Sequence, residues 1–292
     1  MKYIEIDNKS ALNKLKGNRR LPFHWDLNLY RGCAHGCKYC YALYSHSYLE
    51  DSNFFGSIYY KKNIVACLEK ELSAKSWKRE VINIGGVTDS YQPIEKQRQM
   101  MRHVLKLMIQ YKNPIIISTK SDLILRDIDL IAELSRLTYV NIAFTITTTK
   151  EALREKLEPG GVSTERRFQA LQQLKEHTNA SLGIHVMPII PYLTDSTTNL
   201  DTIFHRAAHI GVDYVLPGTL YLRGKTRPYF MDFLRRYDRD VYEKLCMLYT
   251  KGGANKAYKE ELYGRINQLR AKYHVSSNYM KIMKEKLQEK DG

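Results

Sequence analysis

Three cysteines near the N-terminus are the residues best suited to chemistry in this 292-residue chain. Cys33, Cys37 and Cys40 have the spacing C-x3-C-x2-C, so three of the five cysteines fall within one short loop. Gly32 and Gly36 favour a loop that turns its sulfur atoms inward, because glycine adopts positive φ at little cost. Three thiolates this close together are expected to bind a metal.

Two kinds of metal site fit three thiolates, and they differ in the number of protein ligands. A structural zinc site needs four ligands in a closed tetrahedron, which His35 or His46 would have to complete. A [4Fe–4S] cluster is held by cysteine thiolates and can leave one iron without a protein ligand. A disulfide is disfavoured, because the clustered cysteines are odd in number and the sequence shows no secretory context.

The chain is strongly basic, with 46 Lys and Arg against 31 Asp and Glu and a net charge of +15. Residues 221–292 hold 17 Lys or Arg and 9 Asp or Glu, an excess of eight positive charges. Lysine and arginine gain affinity for phosphates by releasing condensed counterions, so DNA or RNA is a favoured partner. A basic surface that serves only solubility is the alternative.

The N-terminal residues predict neither a signal peptide nor a membrane span. Residues 1–10 mix charged with single apolar residues, and no apolar stretch is long enough to cross a bilayer. Clustered cysteines favour a reducing compartment, so we expect a cytoplasmic protein with no membrane partner. Cys67 and Cys246 are expected to be ordinary buried thiols.

From Trp25 onward, short apolar runs alternate with longer amphipathic segments, the pattern of parallel sheets built from βα units. The pattern predicts six strands, at residues 25–29, 81–84, 114–118, 140–147, 181–190 and 213–222. Helical spacing predicts helices at residues 61–72, 94–110, 128–137, 150–157, 163–177 and 198–210. Six such repeats favour an α/β fold, a partial (β/α)6 barrel of the TIM type, with reactive groups at the carboxyl ends of the strands.

The same pattern divides the chain into three parts. Residues 1–24 are predicted to form an N-terminal arm, which carries a basic run at Lys14, Lys16, Arg19 and Arg20. Residues 25–223 form the partial barrel. Residues 224–292 form a basic helical C-terminal extension, with helices at 229–237, 241–249 and 255–287. The extension either only closes the barrel mouth or also presents cations to a substrate.

Polar residues, together with two glycines and a proline, lie at the ends of the predicted strands, where a ligand inside a barrel would be contacted from several sides. They are Gly85, Gly86, Thr88 and Asp89 after the second strand, Ser118, Thr119 and Lys120 at the third, Thr145 and Thr147 on the fourth, and His185 and Pro188 on the fifth. Ordinary alternatives exist: Asp89 as a helix cap, Lys120 on the surface and His185 as a hydrogen-bonded core residue.

The cysteine motif, with Tyr39 directly before its last cysteine, resembles the signature of the radical SAM superfamily. The resemblance covers about residues 25–223 and implies a partial (β/α)6 barrel. It implies a [4Fe–4S] cluster on Cys33, Cys37 and Cys40, whose fourth iron binds the amino and carboxylate groups of S-adenosylmethionine (SAM). An electron from such a cluster cleaves SAM to methionine and a 5′-deoxyadenosyl radical, which abstracts a hydrogen atom from a substrate.

The resemblance also implies which residues contact SAM after the second strand. Gly85, Gly86, Thr88 and Asp89 occupy the place of a Gly-Gly-Glu-like motif that binds the methionine ammonium. The two glycines would let the backbone approach the ligand. Tyr39, beside the cluster, is counted with these cofactor contacts.

The later strands are expected to contact the rest of SAM. Lys120, with Ser118 and Thr119 beside it, is expected to meet the methionine carboxylate, because lysine acts as a point charge for an anion. The remaining expected contacts are Thr145 and Thr147 toward the ribose, His185 pointing into the barrel, and Pro188 against the adenine.

A narrower resemblance is to the branch of the superfamily related to spore photoproduct lyase. It is carried by residues 39–41, 87–95, 119–122, 126–127, 157–159 and 188–191. Spore photoproduct lyase reverses a thymine dimer by hydrogen abstraction, with a cysteine as hydrogen donor and nearby tyrosines that help return the radical. Tyr41 matches one such tyrosine, and the resemblance implies a catalytic role for it. The donor cysteine has no counterpart, because Gly85, Gly86 and Val87 occupy its place.

Four functions stay open at this point. The first is a radical SAM enzyme acting on DNA or RNA, for repair or modification, with a reductant such as flavodoxin or ferredoxin. The second is a radical SAM enzyme acting on a peptide or small molecule. The third is a zinc-bound adaptor that binds nucleic acid without catalysis, although an adaptor needs no deep cofactor site. The fourth is a radical SAM fold that keeps its cluster for structure or electron transfer.

Overall fold

The computed structural model describes residues 1–15, 21–46, 49, 51 and 53–291. Its strands are β1 (Lys2–Ile6), β2 (Leu12–Lys14), β3 (Trp25–Leu27), β4 (Tyr30–Arg31), β5 (Ser57–Lys61), β6 (Ile82–Ile84), β7 (Ile115–Thr119), β8 (Val140–Thr145), β9 (Ser181–Ile189) and β10 (Tyr214–Thr219). Its α-helices are α1 (Ile64–Leu72), α2 (Glu95–Arg98), α3 (Met100–Tyr111), α4 (Ile128–Leu137), α5 (Glu151–Leu157), α6 (Thr164–His177), α7 (Thr197–Ile210), α8 (Thr226–Tyr237), α9 (Arg239–Leu248), α10 (Lys256–Tyr273) and α11 (Tyr279–Asp291). Short 3₁₀ helices span Tyr41–His46 and Asp122–Asp127.

The main sheet has the strand order β10-β9-β8-β7-β6-β3-β2 within the described chain. Six of these strands, β3 and β6 to β10, run parallel, and β2 pairs antiparallel with β3 at one edge. The sheet does not close on itself, because β2 and β10 are its two edges. The predicted α/β fold and its partial barrel of six parallel strands are therefore confirmed.

The register of the parallel strands brings their polar ends to one edge of the sheet. Ile84 at the end of β6 pairs with Ile117 in β7, and Ile117 pairs with Ile142 in β8. These isoleucines are fully buried, because the helices cover the sheet. The residues that follow each strand therefore meet above the same layer of the core.

The sequence pattern did not indicate four of the strands, which are β1, β2, β4 and β5. β1 pairs in parallel with β5, and β5 pairs antiparallel with β4, so a second sheet of three strands forms beside the main one. β2 and β4 span three and two residues, which is too short for alternation to be recognised. Of the predicted basic run, Lys14 ends β2, whereas Lys16, Arg19 and Arg20 lie outside the described residues.

Two predicted helices are each divided in the structure. The segment 94–110 forms α2 and α3, which are separated by Gln99 with a φ of 50°. The Glu95 carboxylate accepts hydrogen bonds from the backbone N–H groups of Met100 and Met101, so it caps the start of α3. The segment 255–287 forms α10 and α11, and α10 ends at His274 with a φ of 55°. The helix predicted at residues 128–137 agrees with α4. The prediction that Cys67 and Cys246 are buried is wrong, because Cys67 on α1 is half-buried and Cys246 on α9 is exposed.

The C-terminal helices pack along the open side of the barrel. Tyr258 on α10 donates a hydrogen bond to Asp195 at 2.7 Å, and Lys272 pairs with Asp201 at 2.7 Å. The N–H of Val215 in β10 donates to the carbonyl of Ser276 at 2.8 Å, so the segment after α10 partly covers the edge strand. None of the helices among the described residues is both long and apolar enough to cross a membrane.

Gly183 in β9 gives a test of this packing. A Cβ atom at this position would lie 2.1 Å from the ring of Tyr214, whose hydroxyl donates to Asn141 at 2.9 Å. We expect Gly183→Ala to lower the free energy of unfolding by about 1–3 kcal/mol, the usual cost of overpacking. Gly264→Ala in α10 is the control, since no atom lies within 4 Å of its added Cβ. Urea denaturation of both variants is the measurement, and equal stabilities would contradict the prediction.

Candidate metal centre and cofactor cavity

A cavity of about 560 Å³ extends from the carboxyl ends of the parallel strands into the sheet's interior. Small-molecule sites usually enclose about 300–1,000 Å³, so the space suits a cofactor of moderate size. Cys33, Cys37 and Cys40 all line it. The loop that follows β3 and β4 thus meets the loops after β6 to β10 around one space, as the partial barrel predicts.

Most candidate residues from the sequence line this cavity. They are Tyr39, Tyr41, Gly85, Gly86, Thr88, Asp89, Ser118, Thr119, Lys120, Thr145, His185 and Pro188. Thr147 does not line it. β8 ends at Thr145, so the alternation of side chains stops there, and the Thr147 hydroxyl donates to Glu158 Oε1 at 3.3 Å. Thr147 is therefore removed from the expected ribose contacts.

The cysteine loop depends on its two glycines. Gly32 has a φ of 81°, and a Cβ there would lie 2.7 Å from the carbonyl oxygen of Ser57. Gly36 has a φ of 66°. Between the cysteines, the N–H of Cys40 donates to the carbonyl of Cys37 at 3.2 Å. The loop is therefore a tight turn that packs against the strand region around β5.

The segment after β6 holds the backbone of the cysteine loop. The Gln92 side chain accepts a hydrogen bond from the N–H of Ala34 at 2.9 Å and donates to the carbonyl of Gly32 at 3.2 Å. The Thr88 hydroxyl donates to the same Gly32 carbonyl at 2.6 Å. Thr88 and Gln92 are buried, so these bonds satisfy loop groups that water does not reach.

Asp89 has a different role from the one expected. Its carboxylate accepts hydrogen bonds from the Thr119 hydroxyl at 2.9 Å and from the backbone N–H groups of Tyr91 and Lys120 at 2.9 and 2.8 Å. His35 Nε2 lies 3.0 Å away. Burial opposes ionisation, but His35 and these hydrogen bonds lower the pKa of Asp89 to about 2. Protein groups thus saturate the carboxylate, which positions the loop and has no free oxygen lone pair for an ammonium group.

The two histidines considered as zinc ligands are both engaged elsewhere. His35 Nδ1 lies 2.9 Å from the carbonyl oxygen of Gly160, while its Nε2 faces Asp89. His46 Nε2 lies 3.3 Å from the carbonyl oxygen of Ser57, and its ring packs edge-on against Phe54. Both nitrogens of His35 are therefore engaged, whereas His46 Nδ1 has no hydrogen-bond partner among the described residues. A closed site of three cysteines and one histidine is not supported, because no group of His, Cys, Asp and Glu side chains suited to a single metal ion occurs in the part of the chain that the structure describes.

A second segment, residues 157–161 at the end of α5 and just beyond it, hydrogen-bonds to the cysteine loop from the opposite side; we call it the clamp segment. The N–H of Gly160 donates to the carbonyl of His35 at 2.8 Å, and the N–H of Lys38 donates to the carbonyl of Leu157 at 2.9 Å. A Cβ at Gly160 would lie 2.3 Å from the carbonyl oxygen of Ala34. This close approach requires glycine.

A buried ion pair between Glu158 and Arg167 stabilises the clamp segment. Glu158 and Arg167 are both fully buried and lie 2.6 Å apart. The Tyr39 hydroxyl donates to Glu158, so the pair reaches the residue before the last cysteine. Arg167 also donates to the carbonyl of Thr145 at 2.9 Å, which ties the clamp segment to the end of β8. In the sequence, Glu158 is notable only as part of a motif, and Arg167 gives no signal because it lies in an ordinary helical segment.

Lys120 and His185 give the cavity one cation and one neutral ring. Lys120 lines the cavity, with its Nζ 5.8 Å from the centroid of the Tyr39 ring. Burial opposes its charge, but Cys37 and Glu158 raise the pKa of Lys120. Burial and the charge of Lys120 lower the pKa of His185 to about 4, so its imidazole is neutral at pH 7. The cavity can thus attract an anionic group at Lys120.

The cavity also reaches a polar region that sequence analysis missed. Asn83, Asn141 and Tyr214 line its inner part, and Asn83 Nδ2 donates to Asp26 at 2.7 Å. The available signal was an asparagine within each of two otherwise apolar strands, Ile82–Ile84 and Val140–Thr145. A polar side chain in a buried strand indicates a hydrogen-bonding partner in the interior.

Two exposed tyrosines lie at the cavity. Tyr41 is 63% exposed, lines the cavity and donates its hydroxyl hydrogen bond to the carbonyl of Gly86. Tyr221, which follows β10, is 60% exposed and also lines it. Arg223 and Lys225, close to Tyr221 in the chain, are exposed. Two exposed aromatic rings therefore lie at the cavity.

The three thiols suit a group with several metal ions. Burial raises the pKa of Cys33, Cys37 and Cys40 to about 12, so a cationic group is needed to hold them as thiolates. Among the described residues, no three His, Cys, Asp or Glu side chains converge on a single ion. The cysteines instead share the lining of a larger cavity, and they fit an iron–sulfur cluster with room beside it.

Residues 27–200 match the family model of the radical SAM superfamily. The chain belongs to the radical SAM superfamily. Radical SAM enzymes use a [4Fe–4S] cluster and SAM, and the matched residues include all three cysteines and the loops after β6 to β9. The radical SAM assignment therefore agrees with the cavity built by these loops.

Relatives of this radical SAM protein span nearly its whole length. An uncharacterised protein from Mycobacterium tuberculosis is 34% identical over 283 residues, which is 95% of this chain and 82% of that protein. An uncharacterised protein from Methanocaldococcus jannaschii is 28% identical over 280 residues, which is 91% of this chain and 93% of that protein. The resemblance thus includes the C-terminal helices as well as the barrel.

Solved structures show the same fold. A double mutant of spore photoproduct lyase with bound AdoMet and dinucleoside spore photoproduct has a TM-score of 0.68, with 15% sequence identity. The likeness covers 92% of this chain and 78% of that chain. The resemblance to the branch related to spore photoproduct lyase is therefore confirmed at the level of fold.

The ion pair of Glu158 and Arg167 leads to a stability prediction. Glu158→Gln leaves the Arg167 charge buried without its partner, so we expect the free energy of unfolding to fall by about 3–5 kcal/mol. Glu155→Gln in the last turn of α5 is the control, because the Glu155 side chain is 63% exposed and its carboxylate lies 3.5 Å from the Arg154 guanidinium. Glu155→Gln should lower the free energy of unfolding by less than about 1 kcal/mol. Chemical denaturation monitored by circular dichroism measures both values, and similar losses would refute the assigned role.

Proposed function

We propose that this protein is an active radical SAM enzyme whose substrate is a nucleic acid. The observation that carries the first part is the shared cavity: Cys33, Cys37 and Cys40 line the same space as the ends of five parallel strands. The three cysteines would hold a [4Fe–4S] cluster. When bound, that cluster would supply the electron that cleaves SAM to methionine and a 5′-deoxyadenosyl radical.

The lining residues have distinct parts in this proposal. Lys120 would attract the carboxylate of SAM, because it is a cation in the cavity wall. Gly85 and Gly86 would let the backbone approach the ligand, and a Cβ at Gly86 would lie 2.5 Å from Asp26. Neutral His185 and Pro188, which line the same cavity from β9, would contact the nucleoside part. Asp89 and Gln92 would position the cysteine loop without touching SAM.

Charge and the cavity entrance support a nucleic-acid substrate. The chain has a net charge of +15, and Arg223 and Lys225, which follow the cavity residue Tyr221 in the sequence, are exposed. Exposed Tyr41 and Tyr221 offer rings on which a base could stack, and such stacking is worth about 1–3 kcal/mol per base. The structurally similar lyase was solved with a dinucleoside photoproduct, which is consistent with this substrate class.

The reaction is proposed to differ from that of the lyase. Among the described residues that line the cavity, the thiols are those of Cys33, Cys37 and Cys40, which are assigned to the cluster. Gly85, Gly86 and Val87 stand where the lyase branch carries its hydrogen donor. A repair or modification reaction that uses no donor thiol from this chain therefore fits these residues better than the lyase reaction does.

The cytoplasmic location stays a prediction.

The activity test is SAM cleavage under anaerobic conditions. Protein reconstituted with iron and sulfide, then mixed with dithionite and SAM, should release 5′-deoxyadenosine, measured by liquid chromatography. Cys37→Ala should abolish release, whereas Cys67→Ala should leave it unchanged, because the Cys67 thiol contacts Asn8 outside the cavity. Absence of product from wild-type protein with a full complement of iron would sink the proposed activity.

Salt dependence tests the substrate class. Phosphate contacts release counterions, so the association constant for single-stranded DNA should fall steeply between 50 and 200 mM salt, by about 10-fold or more. Arg223→Ala with Lys225→Ala should reduce the slope of log K against log salt by about one to two. Lys96→Ala with Lys106→Ala, on exposed positions of α2 and α3, is the control. Salt-independent binding, or equal slopes for both double variants, would argue for a peptide or small-molecule substrate.

A further inference from the structure

A second, smaller cavity lies outside the barrel and is separate from the cofactor cavity. It encloses about 450 Å³ and is lined by Lys38, Lys156, Tyr229, Phe233, Arg236 and Tyr237. We call it the outer pocket. None of these six residues lines the cofactor cavity. A molecule in the outer pocket is therefore not in contact with the groups assigned to SAM.

The cysteine loop itself separates the two cavities. Cys37 and Tyr39 line the cofactor cavity, and Lys38 between them lines the outer pocket. Consecutive Cα atoms are about 3.8 Å apart, so the wall between the cavities is one loop thick. Tyr229, in the outer pocket, also packs against the apolar cluster that contains Cys33 and Leu43. The outer pocket thus lies directly behind the proposed cluster.

The outer pocket combines positive charge with aromatic rings. Lys38 Nζ lies 5.9 Å from the ring centroids of both Tyr229 and Phe233, and the rings of Phe233 and Tyr237 stack at 5.5 Å. Among the described residues that line it, three are cations and none is acidic. The nearby acidic residue Asp232, also on α8, forms ion pairs with Arg236 and with Arg235. Even with Asp232 counted, the surface remains positive.

This surface suits a protein partner with an acidic face. Arginine and aromatic residues are enriched in protein interfaces, and opposite charges steer two proteins together. A substrate bound here could not reach the reacting atoms, because the cysteine loop stands between. An electron can cross that loop, and the proposed function requires one electron to enter the cluster for each SAM cleaved.

We propose that the outer pocket is the docking site of an acidic one-electron carrier protein of the flavodoxin type. This inference rests on the proposed function, which needs a reductant. The carrier's anionic flavin hydroquinone loses one electron to become the neutral semiquinone, and the oxidised cluster gains that electron. No proton moves and no bond is made or broken in this step.

Charge reversal on the rim of the outer pocket tests the proposal. Lys156→Glu with Arg236→Glu changes two exposed residues outside the cysteine loop. Calorimetry should show at least a 10-fold weaker Kd for reduced or oxidised flavodoxin. The rate of 5′-deoxyadenosine release with flavodoxin and its reductase should fall by a similar factor, whereas the rate with dithionite should stay within twofold of wild type.

Arg239→Glu with Lys244→Glu is the matched control. It makes the same change of charge on α9, at exposed positions where Arg239 pairs with Glu243 and Lys244 pairs with Asp240. Its Kd for flavodoxin and both rates should match those of wild type. A general effect of net charge would weaken flavodoxin binding equally in the two double variants, and that result would overturn the proposal.

The remaining outcomes separate this inference from the proposed function. Unchanged flavodoxin binding by Lys156→Glu with Arg236→Glu would overturn the docking site, even if SAM cleavage is confirmed. Loss of single-stranded DNA binding with intact flavodoxin binding would overturn it as well and assign the outer pocket to nucleic acid. If wild-type protein fails to cleave SAM with dithionite, the proposed function fails, whereas the calorimetric Kd still measures the docking surface.

Discussion

The structure depends on holding one short loop, residues 32–40, whose backbone cannot satisfy itself. The loop has little regular structure, and its thiols face a cavity, so its buried N–H and C=O groups need partners from elsewhere. Gln92 and Thr88 supply them from the segment after β6, and the backbone of Leu157 and Gly160 supplies them from the other side. The position of the three sulfur atoms therefore depends on two segments, distant in sequence, that hydrogen-bond to the loop from opposite sides.

Electrostatics reinforce the same arrangement. Asp89 and Glu158 are buried carboxylates, and each is matched by groups that favour its charge: His35 with backbone amides for the first, Arg167 and Lys120 for the second. Because a buried charge without a partner is costly, these pairs must form together with the loop. Asp89, which the sequence pattern assigned to the ligand, and Glu158 thus serve to fix the shape of the site. Lys120 supports the charge of Glu158 and also lines the cavity.

Side chains of the same loop also line two separate cavities. Its inner face, with Cys37 and Tyr39, belongs to the cofactor cavity, and Lys38 belongs to a basic aromatic surface outside. Alternation of neighbouring side chains lets one tight loop serve both. Helix α8 contributes Tyr229, Phe233, Arg236 and Tyr237 to the outer pocket. The C-terminal extension therefore forms part of this pocket and also covers the edge of the barrel.

The sequence by itself determined the six parallel strands, the cysteine loop and the polar strand ends, because apolar periodicity and residue spacing are local properties of the chain. Only the tertiary structure decided the role of each polar group. Asp89 is saturated by groups up to 54 residues away, and Thr147 turns to Glu158 once β8 has ended. Such partners are fixed by how distant loops pack, a property that no local pattern of residues contains.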